Sequence, residues 1–252
     1  MKNILAIPAM LGAALAVSLA GCGKDSMSSK GGSLTLSIRA MSGSLAKTAS
    51  PQAQQVTITS AKVVLGEIEI ENSSLDSMDF KSNSPLVVNL DLTGAITNLG
   101  AVSIPFGTYE ELEYEITRLT PQDAAVYNAN PDLQGYSIYV RGYVDGDTNA
   151  VFTFKSALEA EQEQEFSPPL VVNESLPQVV LMVTIDTRMW FSGGAGNYLD
   201  PRDPQNQQAI ARNIQASVYA FEDNDGDGED DDVDDGDVDD NDNGDVGDGD
   251  ND

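Results

Sequence analysis

The sequence contains no histidine and only one cysteine among its 252 residues. Without imidazole and with a single thiol, the chain cannot form His- and Cys-ligated zinc sites, Ser-His-Asp triads or Cys-His pairs. Intrachain disulfides are excluded as well, so the fold must depend on its hydrophobic core. The chemistry that remains is that of carboxylates and of metal ions that prefer oxygen ligands.

Basic residues are also scarce, because 13 Lys and Arg stand against 41 Asp and Glu, for a net charge of −28. Residues 222–252 contain 18 of the acidic residues and no basic one. Phosphate binding requires clustered Lys and Arg, so nucleic acid is not expected as a partner. The chain also has no glycine-rich phosphate loop and no dinucleotide-binding fingerprint.

The N-terminus reads as a secretion signal. One charge at Lys2 precedes an apolar stretch over residues 4–20, which is short for a membrane-spanning helix of roughly 20 apolar residues. Residues 19–22 then read Leu-Ala-Gly-Cys, which resembles the bacterial lipobox. The resemblance implies that residues 1–21 are a lipoprotein signal peptide and that Cys22 carries acyl chains such as palmitate. The alternative is an ordinary signal peptide with a Cys near its cleavage site.

Residues 22–32 are rich in Gly, Ser and Lys, which is typical of a flexible tether between a lipid and a folded domain. By analogy with enteric bacteria, Gly23 rather than Asp after the Cys favours the outer membrane. The sequence leaves open whether the protein faces the periplasm or the cell surface.

Apolar and polar residues alternate through residues 33–221, and this period of two predicts strands with one buried face. Gly66 interrupts one such segment, which predicts a bulge or bend. Residues 179–187 are almost continuously apolar and predict a central strand buried on both faces. The remaining predicted strands cover residues 34–38, 56–70, 86–92, 112–116, 136–144, 149–155 and 216–221.

Two local signals refine this pattern. Asp145 and Gly146 predict a hairpin turn between two of the strands. Asp203 and Pro204 predict the start of one short helix, in which Ile210 supplies an apolar stripe together with Ile214. Nine or ten short strands and one helix indicate an all-β fold, an antiparallel β-sandwich formed by a single domain over residues 33–221. Residues 222–252 are then an Asp-rich, disordered tail.

Residues 103–109 read Ser-Ile-Pro-Phe-Gly-Thr-Tyr and lead into an alternating strand. They resemble the P-x-G-x-Y corner of transthyretin-like and immunoglobulin-like sandwiches. The chain resembles an uncharacterised family of bacterial β-sandwich lipoproteins. The resemblance rests on this corner, on the lipobox and on residues 136–154 and 213–223. The resemblance implies a fold and a location, and no activity.

The acidic tail contains two candidate calcium loops that resemble those of EF-hands, dockerins and thrombospondin type-III repeats. Oxygen ligands at positions one, three and five converge on a hard cation, and Gly at position six permits the sharp turn. Both loops have Asp rather than Glu at position twelve, and no helices flank them. A disordered, solubilising tail is the alternative. The candidate ligands are Asp223, Asp225, Asp227, Asp231 and Asp234 in the first loop, and Asp239, Asn241, Asn243 and Asp250 in the second.

Two further sets of residues have both a structural and a functional interpretation. Trp190, Phe191 and Tyr198 flank a Gly-rich turn and could stack on a glycan, although aromatic residues more often pack in a core. Glutamates at period two, in residues 67–71 and 111–115, could form the carboxylate pair of a glycoside hydrolase. Such rows are more typical of a solvated strand face that protects an edge.

The sequence therefore predicts a lipid-anchored, non-enzymatic envelope protein with a binding or structural role and a calcium-responsive tail. One alternative is a carbohydrate-binding or adhesion module, which requires the three aromatic residues to lie exposed in one groove. Another is a carboxylate-dependent glycoside hydrolase, which requires two acidic side chains in a common cleft. The partner, a glycan or another envelope protein, is not determined by the sequence.

Overall fold

The computed structural model describes residues 30–42, 56–73, 79–82, 84–194, 197–228 and 230. The predicted signal peptide, Cys22 and the predicted tether up to residue 29 lie outside these residues. The architecture is all-β, with two sheets packed together. The strands are β1 Gly31–Met41, β2 Val56–Asn72, β3 Phe80–Ser82, β4 Leu86–Asn89, β5 Thr97–Pro105, β6 Gly107–Ile116, β7 Ile138–Val144, β8 Val151–Ser156, β9 Ala160–Val172, β10 Gln178–Asp186, β11 Ser192–Gly194, β12 Asn197–Tyr198 and β13 Val218–Glu222.

The smaller of the two main sheets has the strand order β13-β10-β1-β5, and the larger has the order β8-β7-β2-β6-β9, with β3 and β4 also paired to β2. The small β11–β12 hairpin is separate. Strand β10 lies between two neighbours and buries residues on both faces, as its continuous apolar sequence predicts. In the long strand β2, the pairing register with β6 shifts between Leu65 and Ile68, which confirms the bulge predicted at Gly66.

The smaller sheet is mixed, so the prediction of a purely antiparallel fold is wrong. Strand β1 pairs with β10 in parallel, from Ser33 opposite Gln178 to Met41 opposite Asp186. A parallel pair needs a long crossover connection. Here the chain between the two strands includes β5 and the whole of the larger sheet, and local periodicity carries no signal for such a distant pairing.

The hairpin and the predicted helix both form. Asp145 and Gly146 have φ angles of +56° and +71° and connect β7 to β8, which pair antiparallel. The Asp203 side chain accepts a hydrogen bond from the Gln205 backbone N–H at the start of a 3-10 turn, and the helix Gln207–Gln215 follows. We label this helix α2.

A second helix, α1 at Ala124–Ala129, contradicts the prediction of a single helix. It has only six residues, too few for an apolar period to be recognised. Val126 and Tyr127 on this helix pack against a small buried cluster that includes Leu119 and Leu133. The helix thus depends on tertiary contacts rather than on its own sequence pattern.

One core lies between the sheets, formed by residues of both, with Leu34, Val183 and Leu112 among them. The Tyr109 hydroxyl, on a fully buried side chain, donates a hydrogen bond of 2.8 Å to the Pro105 carbonyl at the predicted corner. Burial raises the pKa of Tyr109 to about 12. The hydroxyl therefore stays protonated at neutral pH and fixes the step from β5 to β6, where the chain leaves one sheet for the other.

Candidate metal centre

The first candidate calcium loop is packed on the smaller sheet. The Asp223 backbone N–H continues the strand ladder by donating to the Val180 carbonyl at 3.0 Å, and Val180 N–H donates to the Asn224 side chain at 3.0 Å. Farther along, Arg39 Nη1 donates to the Gly228 carbonyl at 3.1 Å. These contacts carry residues 223–228, here called the Asp loop, from β13 across β10 to β1. The fold therefore continues into the acidic segment as far as Gly228.

Three carboxylates converge within this loop. Asp223, Asp225 and Asp227 each offer one oxygen, and these oxygens all lie within 4.8 Å of one another. Two ligands on opposite sides of one calcium ion are about 4.6–5.2 Å apart, twice the usual calcium–oxygen distance. The spacing of the three oxygens therefore fits a single shared ion.

Glycines and backbone donors give the loop its shape. Gly226 and Gly228 have φ angles of +79° and +86°, in the left-handed region that residues with a side chain rarely adopt. Asp223 Oδ1 accepts hydrogen bonds from both of these glycine N–H groups, at 2.9 and 3.2 Å. The backbone that follows Asp223 thus orients its side chain at the base of the loop.

The second carboxylate oxygen of Asp223 indicates that this loop binds a ligand. The Asp223 residue is 0% exposed, and its Oδ2 atom has no hydrogen-bond partner among the described residues. A buried ionised oxygen without a partner is costly, and the cost is removed when a cation binds it. Asp225 and Asp227 are exposed beside it, so a cation can reach the site from solvent and complete its coordination with water.

The other candidate ligands cannot be placed in the same way. Asp231 and Asp234 of the first loop lie outside the described residues. The whole second loop, with Asp239, Asn241, Asn243 and Asp250, also lies outside them. Asp223, Asp225 and Asp227 of the Asp loop are thus the predicted ligands that the structure brings together.

The aromatic residues proposed for glycan binding do not form an exposed groove. Trp190 is 0% exposed, and its Nε1–H donates to Ser217 Oγ at 2.8 Å within the core. Phe191 is 6% exposed and packs edge-to-face against Phe152 and Phe154. Tyr198 is partly buried against the same core. The three aromatic residues therefore do not form a glycan-stacking groove, because core packing takes up the rings of Trp190 and Phe191.

The glutamates at period two come together on the outer face of the larger sheet. Two cross-strand rows run through β2, β6 and β9, and we call their six residues the Glu face: Glu69, Glu113 and Glu163 in one row, and Glu71, Glu111 and Glu165 in the other. The two rows lie side by side on the sheet, and their residues are half-buried or exposed. This is the arrangement expected of a solvated strand face.

Neighbouring carboxylates repel one another on the Glu face. Partial burial, followed by the charges of neighbouring glutamates, raises the pKa of both Glu111 and Glu113. Lys81 relieves part of the repulsion at the edge, where it pairs with Glu67 and Glu69, and these hydrogen bonds raise the pKa of the lysine. Oxygens of Glu111, Glu113 and Glu163 also lie within 4.8 Å of one another. Unlike the Asp loop, this cluster has no buried carboxylate among its three residues.

Sequence reasoning missed the residues that hold the Asp loop in place, namely Arg39, Val180 and the side chain of Asn224. Arg39 is 189 residues away from Gly228 along the chain, and no local pattern links the two.

Among the described residues, no helix is long and apolar enough to cross a membrane. Comparison of the chain with family models, with curated proteins and with solved structures finds no match.

Proposed function

We propose that this chain is a lipid-anchored bacterial envelope protein, a transthyretin-like β-sandwich with a non-enzymatic binding or structural role, that binds calcium at the Asp loop. Cys22 carries the lipid and residues 23–32 hold the domain away from the outer membrane. The proposal of location is supported by the apolar N-terminal stretch and by the residues that resemble a lipobox. Two or more acyl chains are enough for stable anchoring.

The observation that carries the calcium proposal is the buried carboxylate of Asp223, whose Oδ2 has no partner beside two exposed aspartates. Calcium prefers oxygen ligands and tolerates irregular coordination, whereas magnesium needs near-ideal octahedral geometry. Because Asp223 continues the ladder to Val180, an ion bound here would fasten the start of the acidic tail to the smaller sheet. The role proposed for calcium is therefore structural, and it involves no catalysed reaction.

Calcium titration of the full chain by calorimetry tests this proposal. We expect a site with a Kd on the order of 10⁻⁴ to 10⁻³ M, in the range of extracellular modules, and weaker binding of magnesium at matched ionic strength. Asp223→Asn removes the buried charge and should weaken calcium binding by at least about tenfold. Asp232→Asn is the matched control, because it removes one charge from the same acidic segment at a position outside the predicted ligand set.

Two results would contradict the calcium proposal. One is an equal response to calcium and magnesium, which would indicate simple screening of a polyanion. The other is an equal loss of affinity in Asp223→Asn and Asp232→Asn. In either case the acidic tail would be a solubilising segment and the metal ligands named above would be wrong.

The anchor has its own test. Cys22→Ser should leave an exported protein without lipid, either soluble or with an uncleaved signal, because lipid modification requires the thiol. Metabolic labelling with a radioactive or clickable palmitate and partitioning into detergent measure this directly. A Cys22→Ser protein that still incorporates the label would show that the anchor is elsewhere.

A further inference from the structure

One hydrogen bond joins the far end of the Asp loop to strand β1. Arg39 Nη1 donates to the Gly228 carbonyl at 3.1 Å, in a partly buried position. Bonds from a charged donor are roughly twice as strong as neutral ones. Among the residues that the structure describes, Arg39 forms no ion pair, so no carboxylate competes with Gly228 for its guanidinium.

Gly228 also contacts the candidate calcium ligands. Its N–H donates to Asp223 Oδ1 at 3.2 Å, while its carbonyl accepts from Arg39. Asp227, whose oxygen lies within 4.8 Å of those of Asp223 and Asp225, directly precedes it in the chain. Gly228 is therefore the link between the carboxylates and β1. If Arg39 released the Gly228 carbonyl, Asp227 would no longer be held close to Asp223.

The two glycines of the loop differ in their surroundings. Both have positive φ angles, +79° at Gly226 and +86° at Gly228. A Cβ atom on Gly226 would meet nothing within 4 Å, whereas one on Gly228 would overlap Arg39 Nη1 and lie 3.2 Å from Cζ of the same arginine. The guanidinium is thus packed directly against the backbone of Gly228, which leaves no room for a side chain there.

Charge alone does not explain an arginine at this place. Three carboxylates within 4.8 Å of one another repel until a cation binds them, which favours an open loop. A nearby guanidinium also repels calcium, so its charge by itself weakens the site. Its bond to Gly228 acts in the opposite direction, because a loop that is already closed gives up less entropy when the ion binds. The two effects of Arg39 on calcium affinity therefore have opposite signs.

From these contacts we propose that Arg39 is a positioning residue of the calcium site. It holds the Gly228 carbonyl, and through Gly228 it keeps Asp227 beside Asp223. This role rests on the calcium binding proposed above. An occupied site then joins the start of the acidic tail to β1, the strand that follows the predicted tether. Because such coupling is reciprocal, the Arg39–Gly228 bond strengthens calcium binding and bound calcium strengthens the bond.

Calcium titration of the full chain separates positioning from charge. Arg39→Met keeps an apolar stem but removes the guanidinium and its hydrogen bond, and we expect it to weaken calcium binding by at least about threefold. Arg141→Met is the matched control, because it removes the same charge from an exposed residue on β7 and should leave the affinity within about twofold. Unchanged or tighter calcium binding by Arg39→Met would show that only its charge acts on the site and would overturn the proposal.

The two glycines supply an independent test that removes no charge. Gly228→Ala and Gly226→Ala introduce the same methyl group at similar positive φ angles, but only the first displaces Arg39. Gly228→Ala should therefore weaken calcium binding several-fold more than Gly226→Ala. In the Arg39→Met background this difference should disappear, because the bond is already lost. Equal effects of the two alanines in the wild-type background would contradict the proposal.

Amide exchange measured by NMR in calcium-free buffer tests the bond without the ion. In Arg39→Met the Gly228 N–H should exchange at least about tenfold faster than in the wild type, and an unchanged rate would show that Arg39 does not close the loop. Failure of the calcium proposal looks different. Wild-type protein that binds calcium no better than magnesium would refute calcium binding itself, while the exchange rates would still report on the Arg39–Gly228 bond.

Discussion

The Asp loop and the Glu face use the same chemical group in two different ways. On the Glu face, strand pairing places carboxylates side by side, so each one repels its neighbours and none is enclosed. In the Asp loop, a short side chain is fully buried and two backbone N–H groups orient it toward its two neighbours. Acidic residues become a candidate metal site when the backbone makes them converge, and local density of charge alone is not enough.

The largest expected difference between the two regions is in calcium-dependent stability. If the site has a Kd near 10⁻⁴ M, calcium at about 10 mM should stabilise the fold by about 2.7 kcal/mol. We expect the melting temperature of the wild type to rise with calcium, and Asp223→Asn to lose most of that rise. Glu113→Gln, which removes a charge from the Glu face, should keep it in full. Loss of the calcium response in Glu113→Gln would contradict the assignment of calcium binding to the Asp loop.

A smaller effect is expected at the corner that leads into β6, the central strand of the Glu face. Tyr109→Phe leaves the Pro105 carbonyl without its buried donor and should lower the free energy of unfolding by about 1–2 kcal/mol. Urea denaturation measures the change, and Tyr136→Phe, at an exposed tyrosine, is the control. The calcium affinity of the Asp loop should stay the same, because the loop is attached to the other sheet. An equal cost in both variants would mean that the corner hydrogen bond contributes nothing.

The smallest effect concerns the pH dependence of the Glu face. The folded state raises the pKa of Glu113 above its ordinary value, through burial and neighbouring charges. Its contribution to stability is therefore greatest below the ordinary glutamate pKa and is lost as the pH rises through the folded value. Glu113→Gln should be more stable than the wild type at pH 7, by about 0.5 kcal/mol, as expected for one relieved cross-strand repulsion.

The difference between Glu113→Gln and the wild type should shrink toward zero below about pH 4, where glutamates are protonated in both the folded and the unfolded chain. Thermal denaturation at a series of pH values measures it. Glu110→Gln serves as the control, since it removes a charge from the same strand outside the two rows. A glutamine variant at position 113 that is less stable than the wild type at pH 7 would show that repulsion does not dominate on this face.

The sequence alone was sufficient for much of the local structure. A period of two located the strands that carry Leu34 and Leu112, and the Asp145–Gly146 dipeptide located the hairpin. Gly66 marked the bulge, and Asp203 with Pro204 marked the start of α2. Each of these features depends on interactions within a few residues, namely alternation of side chains, turn conformation and capping, so a linear pattern contains the necessary information.

The two edge strands β5 and β9 are not among the predicted strands, and the acidic start of β9 reads equally well as a solvated strand or a loop. Their residues are partly exposed, and β5 mixes small and apolar residues without clear alternation. Pairing with β1 and with β6 makes these segments extended. Helix α1 was missed for a related reason, since its six residues depend on contacts with Leu119 and Leu133.

The candidate sites divide in the same way. The spacing of Asp223, Asp225, Asp227 and Gly228 is a local property, and it was enough to suggest a calcium loop. Only the tertiary structure decided that Asp223 is buried, that the loop is packed across β10, and that Trp190 belongs to the core. The parallel pairing of β1 with β10 brings Arg39 to Gly228, 189 positions away in the chain. Contacts at that distance depend on which strands share a sheet, and side-chain periodicity along one strand carries no record of its neighbours.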